Sequence, residues 1–270
     1  MKTVILTAAA GEVVFGRGEF VLSSFSLTPA RTDGVTEART AILTGAIVPE
    51  GNTEAERAVR MAALRARLTR IASDPDGFTL IEDGRSLCLV CDHAPDFSRE
   101  APFSGTDAAA FTIRAKTTGN GFFTGTPTTL SGAGQAGTLI FPLAITSSTV
   151  FGISHPTGEL IVENPGDAPC GFLAAITAQG GSLTSFQLYR GTAGTTDRIQ
   201  TTHTVSDGGE LLIDTRPGHK GVTADGVSVM PDVNWQSVFF PLLPGENRIG
   251  WQSEGLGAPR VSLTFTPVYG

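Results

Sequence analysis

The residues that could carry chemistry are few, and their spacing argues against most of the chemistry they suggest. Cys88-Leu-Val-Cys91 is a CxxC pair, the spacing of a redox dithiol or of half a zinc site. It lies within the apolar run 86–91, where residues three apart on a strand point to opposite faces. His93 would share the face of Cys91 but stands alone, and no second CxxC exists. The pair therefore reads as buried, reduced thiols, and 3 cysteines are too few for a disulfide framework. Gly132-Ala-Gly134-Gln-Ala-Gly137 matches GxGxxG, but a dinucleotide site needs a strand before it and a helix opening after it. Here a Thr/Pro-rich stretch precedes and a strand containing Pro142 follows, so the segment reads as a flexible linker.

His93, His155, His203 and His219 form no HExxH or HxH. His155 follows Ser154, yet sequence neighbours rarely face each other, and no GxSxG surrounds any serine. Asp and Glu show no spacing that marks an acid pair, so a β-sandwich hydrolase ranks last among the readings. Trp235 and Trp251 are the only tryptophans. Sugar-binding β-sandwiches stack hexose rings on exposed Trp, which makes these two the candidates for glycan stacking. The competing and favoured reading places Trp251 in the core and Trp235 partly exposed beside a turn. No catalytic residue, metal ligand or cofactor is expected.

The elements that would position any site read as mainly β. Hydrophobic residues make up 40%, charged residues only 17%, and Gly 33 and Pro 16 supply many turns. That balance suits an all-β chain and fits a helical enzyme or a disordered chain poorly. The net charge of −7 opposes a phosphate-contacting nucleic-acid binder and an anionic membrane surface. No run approaches the roughly 20 apolar residues needed to span a bilayer. The first ten residues faintly resemble a signal peptide, but a first strand is the better reading.

Strands are expected over 4–6, 12–15, 20–27 and 39–48, the last with loose alternation and with Gly45 marking a bulge or a close backbone approach. One helix follows, over about 53–72. Thr53 and Glu56 form a capping box, and Asp74-Pro75-Asp76-Gly77 stops it. It carries two apolar stripes. Met61, Leu64, Leu68 and Ile71 are bulky; Ala55, Val59, Ala62 and Ala66 are small and roughly opposite at 100° per residue. A surface helix normally buries one stripe. Two suggest a helix sandwiched between its own sheet and something that approaches closely, although Ala is also simply a good exposed helix former. Strands over 78–82, 87–91 and 109–115 follow, with Glu82-Asp83-Gly84-Arg85 as a hairpin turn. Residues 117–137 are rich in Gly and Thr and read as a linker closing a first domain at 137. Beyond 138, strands are expected over 172–177, 182–189, 211–214, 237–242, 247–252 and 260–266, with a further strand and its turn beginning at 160. Such density without helices indicates an antiparallel β-sandwich.

The series Gly209-Glu-Leu-Leu-Ile-Asp-Thr215, Gly218, Asp225-Gly226 and Phe239-Phe-Pro-Leu-Leu-Pro-Gly-Glu-Asn247 resembles the C-terminal domain of phage distal tail proteins. The first half is similar to that family's belt domain, with an Arg-bearing strand (39–47), the amphipathic helix, the hairpin of 77–85 and the Phe122-Phe123 pair. The resemblance implies a β-rich belt domain with one helix over 1–137 and a galectin-like sandwich over 138–270. It implies a structural protein and no enzyme. Six copies would form a ring with tail tube protein on one face and tail-tip, hub or receptor-binding proteins on the other. The chain would be made in the host cytoplasm and reside in the virion at the tail tip. DNA would pass through the ring without direct binding, and no membrane would be entered. The resemblance also suggests that Ala55, Val59, Ala62 and Ala66 pack on the neighbouring protomer. The alternative function is a carbohydrate-binding β-sandwich module.

Overall fold

Strands whose side chains alternate between apolar and polar can bury only one face, and this alternation decides the architecture. The structure, a computed structural model, describes residues 3–16, 18–28, 38–98, 108–119, 121–134, 157–191 and 196–270. His155 with Ser154, Pro142 and the last three residues of the GxGxxG match lie outside the described residues. Two compact units emerge, one of Met1–Gly125 with Tyr269–Gly270, the other of Thr126–Val268.

The first unit contains β1 (Val4–Ala8), β2 (Gly11–Phe15), β3 (Phe20–Leu27), β4 (Thr40–Ile47), α1 (Glu54–Ala72), β5 (Phe78–Glu82), β6 (Arg85–Cys91), β7 (Asp96–Ser98), β8 (Ala109–Thr117) and β9 (Phe123–Thr124). The strands pair antiparallel in the order β2-β1-β5-β6-β8-β4-β3, with β7 beside β8 and β9 beside β6. Along β4, Ala41, Leu43, Gly45 and Ile47 are buried and the intervening residues are not. They join Leu6, Phe15, Leu80, Leu89, Phe111 and Ile113 in one core. Phe15 stacks on Phe111 at 5.8 Å and meets Phe20 edge-on at 6.2 Å, geometries that aromatic pairs prefer.

Gly45 serves both purposes anticipated for it. The β3–β4 register shifts between Leu22 and Ser24, beside its partner position. A Cβ at Gly45 would also lie 2.2 Å from the Val21 carbonyl oxygen, the close backbone approach, and 2.5 Å from the Phe111 ring. The hairpin at 82–85 forms as expected. Asp83 and Gly84 take φ of 50° and 77°, and Glu82 sits opposite Arg85, the left-handed pair that a two-residue hairpin loop demands.

The second unit contains β10 (Thr128–Ala133), β11 (Thr157–Asn164), β12 (Phe172–Gln179), β13 (Leu183–Arg190), β14 (Arg198–Thr201), β15 (Glu210–Asp214), β16 (Gly221–Ala224), β17 (Val227–Ser228), a 3-10 turn at Met230–Asp232, β18 (Gly245–Gly255) and β19 (Ala258–Phe265). A six-stranded sheet runs β10-β19-β12-β15-β16-β17 and a four-stranded sheet runs β11-β18-β13-β14. Every pairing is antiparallel, and each sheet turns one face inward to form a sandwich. Phe172, Ile176, Phe186, Leu188, Ile213, Phe240, Trp251 and Leu263 fill the interior.

Two residues of the C-terminal turn series act as clamps. Buried Thr215 Oγ1 accepts from the Phe172 amide at 2.8 Å and donates to the Phe172 carbonyl at 3.0 Å. Buried Asn247 accepts from the Leu243 amide at 2.9 Å and donates to the Leu243 and Gly245 carbonyls at 2.7 and 2.9 Å. Both satisfy backbone groups that would otherwise be orphaned in the interior.

Three expectations change. The units divide at 125/126, and residues 128–133, read as linker, form β10 along β19 from Thr128↔Phe265 to Ala133↔Arg260. Its run lacks apolar alternation because it is an edge strand. Backbone pairing holds it, with hydroxyl pairs Thr129–Thr264 at 2.9 Å and Ser131–Ser262 at 3.2 Å. Residues 237–242 are not a strand. Only an isolated bridge pairs Leu242 with Cys170, and Pro241 removes a ladder donor there. Strands β14, β16 and β17 were not anticipated as separate elements.

Replacing Gly45 with Ala is expected to destabilise the first unit by about 2 kcal/mol, the usual cost of overpacking. A chemical-denaturation transition shifted by that amount checks it; an unchanged midpoint would show that the Val21 backbone and the Phe111 ring both give way freely.

Candidate functional site

Helix α1 begins where the sequence places it. Thr53 Oγ1 accepts from the Glu56 amide at 3.2 Å, while the Glu56 carboxylate accepts from the amides of Thr53 at 3.2 Å and Asn52 at 2.9 Å. Two orphan donors of the first turn are thereby satisfied reciprocally. Met61, Leu64, Leu68, Ile71 and Ala72 are buried in the core of the first unit. Ala55, Val59, Ala62 and Ala66 all lie on the opposite, exposed face.

Polar anchors fix the rotation of the helix. The Arg60 guanidinium donates to the Glu19 carboxylate, Nε to Oε1 at 2.8 Å and Nη2 to Oε2 at 2.7 Å. The Glu50 amide donates to the same carboxylate at 3.1 Å. The Arg60 hydrogen bond holds the Glu19 carboxyl below its usual value near 4.5, against the opposing effect of burial. Arg67 Nε donates to the Glu12 carbonyl at 3.0 Å, and the Arg65 guanidinium lies 5.3 Å from the centre of the Phe97 ring.

The exposed face carries an open apolar groove of about 640 Å³, lined by Glu50, Gly51, Ala55, Glu56, Val59, Arg60 and Ala63. Val59 is 73% exposed at its centre. The groove brings together Ala55 and Val59 but is not lined by Ala62 or Ala66, which lie further around the same face. It adds Gly51 and Ala63, which the spacing argument missed. Ala63 was recoverable from the 55–59–63 repeat of four; Gly51 precedes the helix and only the chain's approach to Thr53 brings it in. Such a concave apolar surface, with Glu56 and Arg60 of its rim engaged within the chain, can receive a small apolar ridge. It holds no group suited to acid–base or nucleophilic work.

The CxxC pair does no better as a site. Cys88 is exposed, Cys91 half-buried and Cys170 buried, and all three are free thiols. The expectation of buried thiols thus fails for Cys88, because it falls on the outer face of β6 between buried Leu87 and Leu89. Burial pushes the Cys91 thiol up to about 11, the opposite of a reactive thiolate. Among the described residues, no group of three or more His, Cys, Asp or Glu could hold a metal. No described helix is long and apolar enough to cross a membrane.

Residues 165–269 match the family model SPP1_Dit, described as a siphovirus-type tail component, C-terminal domain. All of the matched residues but Tyr269 lie in the second unit. The resemblance read from the C-terminal turn series is therefore borne out. The fold aligns with SPP1 Dit, described as a paradigm of hub adsorption apparatus in Gram-positive infecting phages, over 93% of this chain and 94% of that one, at a TM-score of 0.55 and 13% identity. At that identity the likeness establishes a shared fold. Two chains from the phage P2 baseplate in its activated conformation also align. The chain from the form with Ca has a TM-score of 0.38 and 11% identity, covering 98% of this chain and 97% of that one. The chain from the form with Sr has 0.34 and 10%, covering 94% and 97%. Both scores are too low to bear on the fold. No curated protein sequence matches.

Within the matched residues the two tryptophans part company. Trp235 is 89% exposed, whereas Trp251 is 1% exposed. Trp251 fills space left by Gly132 and Gly158, where an added Cβ would strike its ring. Glycan stacking on Trp251 is excluded by this burial, and Trp235 is left without its proposed companion.

Two outcomes follow. Replacing Trp251 with Ala is expected to cost about 4 kcal/mol, as for a fully buried aromatic, while Trp235→Ala stays within about 0.5 kcal/mol; denaturant midpoints distinguish them. Glu19→Gln is expected to lower stability at neutral pH. Because the folded carboxyl titrates below 4.5, the pair's contribution is present above that pH and lost as pH falls through the lowered value. Melting curves of the two proteins should therefore converge in acid.

Proposed function

We propose that this protein is the ring-forming distal tail protein of a phage, with the first unit building the ring wall and helix α1 contributing its exposed face to the neighbouring copy. The fold shared with a hub protein supports the class of function. The observation that carries the specific reading is the two-sided helix. Its bulky stripe is consumed by the core, and its small-residue face is left open as an apolar groove. Covering Val59 would contribute about 1.5 kcal/mol per copy. Small side chains let a second backbone approach closely. Two of the three rim charges are already engaged within the chain, Glu56 by the cap and Arg60 by Glu19.

In this reading six copies close a ring at the distal end of the tail. Tail tube protein sits on one face and tail-tip, hub or receptor-binding proteins on the other, so the protein resides in the virion. The net charge of −7 suits passage of DNA, since an acidic wall does not hold phosphates back. No catalytic step is required of any residue.

Light scattering of the purified protein tests the assembly. The expected mass is about six protomers of 28.1 kDa, with a central hole in negative-stain images of the same peak. Val59→Glu and Ala62→Glu should each reduce the particle to a folded protomer with an unchanged melting curve. An intact ring from both variants would sink the role given to α1.

A further inference from the structure

The outer face of the four-stranded sheet, in the other unit from α1, bears a further feature. Burial alternates along its strands, sending Val162, Trp251, Leu188 and Ile199 into the core. Register aligns their outward neighbours across the sheet. Thr157 lies opposite Gln252, Gln252 opposite Gln187, and Gln187 opposite Gln200. Three side-chain carboxamides thus stand in one row on adjacent strands, about 4.8 Å apart. They floor a shallow depression of about 200 Å³ flanked by Ser185 and Glu254. All three are half-buried. Among the described residues, no hydrogen bond engages their side-chain amides; those of Gln200 involve its backbone alone.

The next row along the strands is Glu159, Gly250, Tyr189 and Arg198. Here Tyr189 lays its ring over Gly250, where an added Cβ would stand 2.5 Å from ring Cζ. The glycine is what allows an aromatic ring to settle against the sheet beside the amide row. Arg248 is drawn to Glu159 and Glu246, at 3.6 and 3.3 Å.

The chemistry of this face selects its ligand. A carboxamide offers an N–H donor and a carbonyl acceptor side by side, which matches the donor–acceptor character of a pair of neighbouring sugar hydroxyls. A row of three at strand spacing can span a pyranose ring and reach its neighbour. An aromatic ring next to such a row suits the C–H face of a sugar. Glu254 lines the depression and opposes anionic ligands there, and the row itself offers nothing to an apolar one. We propose that this face binds a neutral glycan, with Gln187, Gln200 and Gln252 engaging hydroxyl pairs and Tyr189 packing against a pyranose ring. The site lies within one protomer. It also differs from stacking on Trp235.

Saturation-transfer NMR on the full chain tests this, with maltose, cellobiose, lactose and chitobiose as neutral probes and sialyllactose as the acidic one. Transfer to at least one neutral disaccharide is expected, with none to sialyllactose beyond its neutral portion. Gln187→Ala combined with Gln252→Ala should weaken the signal by at least about fivefold, the scale of one lost neutral hydrogen bond. Gln187→Glu should do the same while keeping the side chain's size, and Trp235→Ala should change nothing. Matching melting curves establish that the variants are folded. Absence of transfer from every neutral probe, transfer that survives both glutamine variants, or loss on Trp235→Ala would each overturn the proposal.

Discussion

Helix α1 can give only one of its apolar stripes to the sheet of its own unit, and the first unit is organised around that limit. Leu64, Leu68 and Ile71 are nearly or fully excluded from solvent, which commits the bulky stripe and leaves the alanine face outward by geometry alone. The helix cannot rotate to compromise. Arg60 on Glu19 and Arg67 on the Glu12 carbonyl tie it to opposite parts of the N-terminal strands. The capping box sets where it starts. An exposed groove with Val59 at its centre is thus a consequence of how the core is closed.

The second unit meets a different constraint. Its two sheets bury so much backbone that the polar groups of the turns must find partners inside, and the residues of the C-terminal turn series do this. Thr215 bonds both backbone groups of Phe172. Asn247 closes the loop before β18, and Asn164 Oδ1 accepts from the Gly166 amide at 3.0 Å. Thr215 and Asn247, both within the matched residues, thus hold backbone groups inside the sandwich.

Much of this was legible in the sequence wherever a residue type admits one conformation. Asp83-Gly84 demanded a left-handed hairpin, Thr53 with Glu56 a helix start, and Gly45 a close approach. The two stripes of α1 were readable from spacing, as was the division of the tryptophans into core and surface. What escaped lacked a local signature. Strand β10 reads as linker because an edge strand of Thr, Ser and Gly needs a partner ladder and no apolar face. Residues 237–242 have strand composition, yet Pro241 leaves only a single bridge. Cys88 reads as a buried thiol because an apolar run does not reveal which of its faces meets solvent.

The sequence by itself determined the class of elements, the turns and which face of the helix is bulky, because these depend on backbone preference and on side chains a few residues apart. Only the tertiary structure decided which stripe is consumed, that Gly51 and Ala63 join Val59 in one groove, and that Gln252, Gln187 and Gln200 stand side by side. Those juxtapositions join residues up to 65 positions apart through strand register. Register is set by the burial of Trp251, Leu188 and Ile199 on the opposite face, and no local pattern around the glutamines records it.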